Sequence, residues 1–128
     1  MKTTTQINER RKDARFKVKG MVIAMSRPLS LPPGKIKEIS QSGLVFQYRE
    51  NRNNKAMPRG LNIIWADYAT THHLGKIPVR IVSDVLDKNG GKDNGYATRR
   101  QAVAFENLTP RQENQIERLI TARGTTLQ

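Results

Sequence analysis

"AVAFENLTPRQENQIERLI", residues 102–120, changes its period partway along. Its first residues finish a strand-like run, and a helix begins at Thr109. Threonine is a good N-cap, Pro110 suits the first helical position, and Gln112 stands three residues after the cap, where it can answer back in a capping box. Ile116, Leu119 and Ile120 then fall at i, i+3 and i+4, one apolar stripe. The pattern predicts an amphipathic helix over about residues 110–122, with 124–128 left as a polar tail.

Everything upstream of that switch reads as strand. "FKVKGMVIAM" (16–25) sets Phe16 and Val18 against Lys17 and Lys19, a half-buried alternation. "SRPLSLPPG" (26–34) interrupts it with prolines and glycine. "KIKEIS" (35–40), "GLVFQY" (43–48) and "LNIIWA" (61–66) follow as strands, with the polar connection "RENRNNKAMPRG" (49–60) before the last. "GKIPVRIVSDV" (75–85) puts Ile77, Val79 and Ile81 on one face; its Pro78 has no N–H for the ladder, which suits an edge or a barrel seam. A turn-rich "DKNGGKDNG" (87–95) leads to a sixth strand, "YATRRQAVAFENL" (96–108). Six short strands and one helix, with no alternation of strand and helix, predict an all-β-dominated fold: a six-stranded antiparallel barrel with a C-terminal helix over 16–123. Residues 1–15 read as a flexible basic arm.

Charge narrows the partners. The chain of 128 residues carries a net +12, and seven Lys/Arg against two Asp/Glu fall in its first twenty residues. So large a charge favours an anionic partner over simple solubility. With no cysteine there is no disulfide, thiolate metal site or Cys nucleophile. His72 and His73 are adjacent, so on a strand they face opposite ways, a poor metal arrangement. "DKNGGKDNG" fails as a calcium loop because Lys92 and Thr98 stand where glycine and an acidic residue are needed. No Ser/His/Asp constellation is visible, so no enzyme, no cofactor and no metal are expected. No apolar stretch opens the chain or runs long enough to span a membrane, so the expected location is the cytoplasm.

Two stretches carry more chemistry than a plain barrel needs. "ERRKDARF" (9–16) holds Arg10, Arg11, Lys12 and Arg15, with Arg11 and Arg15 in an RxxxR spacing. "EISQSG" (38–43) packs a carboxylate, two hydroxyls and a glycine into the turn between the second and third strands. RxxxR before a first strand, then [D/N]xSxxG at a strand turn, then "SGLVF" and the closing strand and helix, resembles a PilZ domain of the single-domain type over roughly residues 9–121. Neither motif is specific alone; in this order on a six-strand pattern they are. Glu38 stands where the family has Asp or Asn, which keeps the acceptor and adds a methylene.

The resemblance implies a bacterial receptor for cyclic di-GMP. It implies that Arg11 and Arg15 hold phosphate and guanine, that Glu38, Ser40 and Gly43 contact a guanine from the barrel surface, and that Arg10 accompanies binding of two stacked ligands. The chemistry of the residues agrees independently. Guanine presents O6 and N7 as paired acceptors, which a guanidinium engages with two parallel hydrogen bonds, and Arg also pairs with phosphate. The output would be read by a separate, unidentified protein in motility, biofilm or exopolysaccharide control, with the receptor a monomer or weak dimer. Two alternatives stay open: an adaptor that has lost its ligand and acts by protein contacts, and a basic barrel that binds nucleic acid. The last needs stacking aromatics across a sheet face, whereas aromatics are 5% of the chain and Phe16, Phe46 and Phe105 stand at expected core positions, so no DNA or RNA partner is expected. Arg99 and Arg100 read either as charge near the site or as a solvated strand edge.

Overall fold

The computed structural model describes residues 14–27, 33–50, 57–87, 92–93 and 96–126. Most of residues 1–15, with Arg10 and Arg11, and much of the 87–95 loop lie outside the described residues. The strands are β1 (Phe16–Val18), β2 (Val22–Arg27), β3 (Gly34–Ile39), β4 (Gly43–Arg49), β5 (Gly60–Asp67), β6 (Thr70–Leu86), β7 (Lys92–Asp93), β8 (Tyr96–Phe105) and β9 (Gly124–Thr126), with one described helix, α1 (Pro110–Arg123).

Six of these strands close a ring in the order β2-β5-β6-β8-β4-β3, and β3 pairs back to β2. Every pairing is antiparallel. A closed ring leaves no long edge inside the sheet. The expected six-stranded barrel with its C-terminal helix is therefore the observed architecture. The run expected as one strand over 16–25 is two, because the chain breaks at Gly20. Gly20 has φ +79°, a conformation in which a side chain is strained, and an added Cβ would meet the Arg123 guanidinium. The break lets β2 pair with one end of β3 while β1 pairs with the other. Gly124–Thr126, read from sequence as part of a polar tail, pairs with β1 as β9.

β6 is 17 residues long and longer than expected, since the chain turns tightly at Tyr68 (φ +53°) and Asp67 pairs directly with Thr70. Pro78 marks its seam. β6 pairs with β5 up to Pro78 and with β8 from Val79 onward, so the missing N–H falls where the partner changes. His72 and His73 lie near the start of this strand; His72 stacks on Trp65 with ring centroids 4.1 Å apart, while His73 is exposed.

The barrel interior holds Ile36, Ile39, Phe46, Leu61, Ile63 and Ile77, each 2% exposed or less. The helix adds Ile116 and Leu119 at 0%, so its sequence stripe is its buried face. Fully burying one such side chain is worth about 1.5–3 kcal/mol. The helix start is held as expected. Thr109 Oγ1 accepts from Gln112 N at 3.1 Å, and Gln112 Oε1 accepts from Thr109 N at 3.0 Å. Gln112 Nε2 also donates to Lys76 O at 3.1 Å, which ties that first turn to β6. Phe46 is core, and Phe16 and Phe105 pack against it, so none of the three offers a stacking face.

Candidate functional site

Ile36 and Ile39 are both buried, yet they stand three apart and cannot share a face of a regular strand. A bulge reconciles them. Ile36 pairs with Phe46 and Glu38 with Val45, so Lys37 is the extra residue. The bulge turns Glu38 outward and returns Ile39 to the core, the re-aiming for which bulges are used. A second bulge does the same on β6. Ile81 pairs with Val103 and Ser83 with Ala102, so Val82 is the extra residue and stands 58% exposed. On the strand between, Arg100, Ala102 and Ala104 point outward while Gln101 and Val103 are buried.

Between these features lies a cavity of about 190 Å³ on the outer barrel wall. Arg15, Glu38, Ser40, Ser42 and Gly43 form its polar rim, and Val45, Val82, Ala102 and Ala104 form an apolar floor. Pairing of Phe16 with Ile39 brings Arg15 alongside the Ser40 turn, although the two are far apart in sequence. The Arg15 guanidinium lies 3.9 Å from Glu38 Oε1, and its side chain stays 69% exposed. Glu38 Oε2 accepts from Arg100 Nη2.

The Ser40–Gly43 turn is held from within. Ser40 N donates to Gly43 O at 2.8 Å, and Ser40 Oγ accepts from Ser42 N at 3.2 Å. Ser40 is 5% exposed, so its hydroxyl shapes the turn. Gly43 pairs with Ala104, and a Cβ there would collide with the Val103 carbonyl oxygen. That glycine is required by the close approach of β4 to β8 and hence by the cavity wall.

Of the six residues singled out from sequence, Arg15, Glu38, Ser40 and Gly43 line this one cavity; Arg10 and Arg11 lie outside the described residues. Sequence reasoning missed the floor. The alanines of "RQAVA" place two small residues on one face of β8, but only the register of β8 with β4 and β6 makes them part of a floor. It also left Arg99 and Arg100 undivided. β8 is no edge, since it runs between β4 and β6, and the two arginines take opposite faces.

Arg99 points inward at 9% exposure. Its Nε donates to Asp84 Oδ1 at 2.5 Å and its Nη1 to Glu50 Oε2 at 3.2 Å. Asp84 Oδ2 also accepts from Tyr48 Oη at 2.5 Å and Gln101 Nε2 at 2.8 Å. The hydrogen bond to Asp84 raises the Arg99 pKa further, against burial, so this buried cation keeps its charge. The cluster braces β4, β6 and β8 from inside, behind the wall that carries the cavity.

A family profile for the PilZ domain matches residues 9–122. The chain belongs to the PilZ family. PilZ domains are ligand-binding domains for cyclic di-GMP. Solved structures repeat the fold. The "PilZ domain with c-di-GMP of YcgR from Escherichia coli" superposes with a TM-score of 0.58 at 17% identity, covering 88% of this chain and 90% of that one. The K. pneumonia MrkH–c-di-GMP complex gives 0.64 at 13% identity over 87% of this chain, and MrkH in its apo state gives 0.61 at 13% over 84%. The chain spans about half the length of MrkH. No curated protein matches it by sequence. Among the described residues no helix is long and apolar enough to cross a membrane, and no cluster of three or more His, Cys, Asp or Glu could hold a metal.

Proposed function

We propose that this PilZ chain is a cyclic di-GMP receptor in which the ligand bridges the arginines of the N-terminal segment to the barrel wall. The observation that carries this is the convergence of Arg15, Glu38, Ser40 and Gly43 on one cavity with an apolar floor. A guanine lies flat against Val45, Val82, Ala102 and Ala104. The Glu38 carboxylate accepts from the donor edge of that base, and Ser40 and Gly43 supply the turn that lets it approach. Arg11 and Arg15 take the phosphates and the O6/N7 edge, for which a planar guanidinium is suited. Arg10 extends the cationic stretch to a second, stacked ligand.

Binding draws the arginine segment onto the wall, which changes the exposed surface beside it. A separate protein reads that surface, in control of motility, attachment or exopolysaccharide. The receptor acts in the cytoplasm as a monomer or weak dimer, and carries out no catalysis.

Displacement of fluorescently labelled cyclic di-GMP tests the reading. Unlabelled cyclic di-GMP is expected to displace the label, and an equal concentration of GTP or of a random oligonucleotide is not. Displacement by the oligonucleotide with a steep salt dependence would instead point to phosphate-driven nucleic-acid binding. At saturation two ligands per chain are expected; one per chain removes the stacked pair and the role of Arg10 in it.

A further inference from the structure

Arg100 has no part in the family motifs, yet it holds the residue at which this chain departs from them. The register explains how. Val45 of β4 pairs with Glu38, and Gln47, two residues along the same face, pairs with Arg100. Arg100 therefore reaches diagonally across the outer face of β4, where aligned side chains lie within reach of long ones. Its Nη2 donates to Glu38 Oε2. The side chains are 35% and 18% exposed, less open to solvent than Arg15 at 69%. An aspartate on the same bulge would be one methylene shorter and would lose that reach.

The two oxygens of Glu38 are thus divided. Oε2 is held from β8 by Arg100, and Oε1 faces Arg15 loosely at 3.9 Å on the cavity side. A glutamate has more rotamer freedom than an aspartate, and freezing it costs up to about 2 kcal/mol. Arg100 freezes it before any ligand arrives, with one oxygen left for an incoming donor.

We propose that Arg100 is a positioning residue for Glu38 and sets the selectivity of the cavity for guanine over adenine. The inference rests on the receptor reading above and deepens it. Guanine offers N1–H and N2–H donors to a fixed carboxylate oxygen. Adenine offers an unprotonated N1, whose lone pair the same oxygen repels. A carboxylate held in place rewards the first base and penalises the second; one free to swing away does neither.

The test compares affinities for cyclic di-GMP and cyclic di-AMP across wild type, Arg100→Ala, Arg100→Lys, Glu38→Ala and the Arg100→Ala/Glu38→Ala double variant, with thermal unfolding recorded for each. Arg100→Ala is expected to weaken cyclic di-GMP about tenfold, as for loss of one charge-assisted hydrogen bond, and to lower the di-GMP/di-AMP ratio by a similar factor. Arg100→Lys restores part of both, and the double variant behaves as Glu38→Ala alone. Two results overturn the proposal: an unchanged di-GMP/di-AMP ratio in Arg100→Ala, which with equal losses for both ligands would make Arg100 a plain phosphate contact, or additive losses in the double variant. Failure of wild type to bind cyclic di-GMP at all would instead remove the receptor reading and this one with it.

Discussion

Arg11→Ala/Arg15→Ala is expected to weaken cyclic di-GMP binding by a factor of at least ~100 while leaving the fold intact. Each arginine contributes charge-assisted hydrogen bonds to phosphate or guanine, worth about 1.5–3 kcal/mol apiece, so the pair amounts to two to four orders of magnitude. The cost to stability is small for a visible reason. Arg15 is largely exposed, and its one ion pair among the described residues, to Glu38, is long. Exposed pairs of that kind contribute about 0–1 kcal/mol. Fluorescence titration with a parallel thermal melt reads both effects. Wild-type affinity in the double variant would show that the arginine spacing is only a solvated basic stretch.

The largest expected effect on stability lies behind the cavity. Asp84→Ala strips the principal partner from Arg99, a cation only 9% exposed, and also removes the acceptor of Tyr48 Oη and Gln101 Nε2. Breaking a buried pair from one side costs about 3–5 kcal/mol, because the remaining charge stays out of water. For a domain of this size that lowers Tm by roughly 10 °C or more. Asp84→Asn, which keeps the shape and an acceptor oxygen, should cost less. Because the cluster joins β4, β6 and β8, the loss would appear as a global decrease in chemical-denaturation midpoint. A change below about 1 kcal/mol in Asp84→Ala would mean that Arg99 escapes to solvent or leans on Glu50 alone.

The sequence revealed what is local. The capping box at Thr109 and Gln112 and the stripe of Ile116, Leu119 and Ile120 are encoded within one short stretch, so the helix could be placed nearly to the residue. Strand positions followed from alternation, and the barrel followed from their number and spacing. Bulges escaped, though "KIKEIS" held a clue. Two core isoleucines three apart on a strand require an extra residue between them, and that residue is Lys37. β9 escaped because Gly124, Thr125 and Thr126 carry no apolar signal; only distant pairing with β1 makes them a strand.

The candidate site divided along the same line. Arg15, Glu38, Ser40 and Gly43 were found by motif order and spacing. Val45, Val82, Ala102 and Ala104 could not be, since they meet only through the register of β4, β6 and β8. Arg99 and Arg100 are identical letters side by side, and pleat direction alone sends one into a buried cluster and the other to Glu38.

Isothermal titration of cyclic di-GMP into the full chain at physiological salt tests the central claim most directly. The receptor account predicts a saturable heat with a Kd of about 1 μM or tighter, near −8 kcal/mol. No heat and no displacement of labelled ligand up to ~100 μM would contradict it, since that affinity would fall short of the prediction by two or more orders of magnitude.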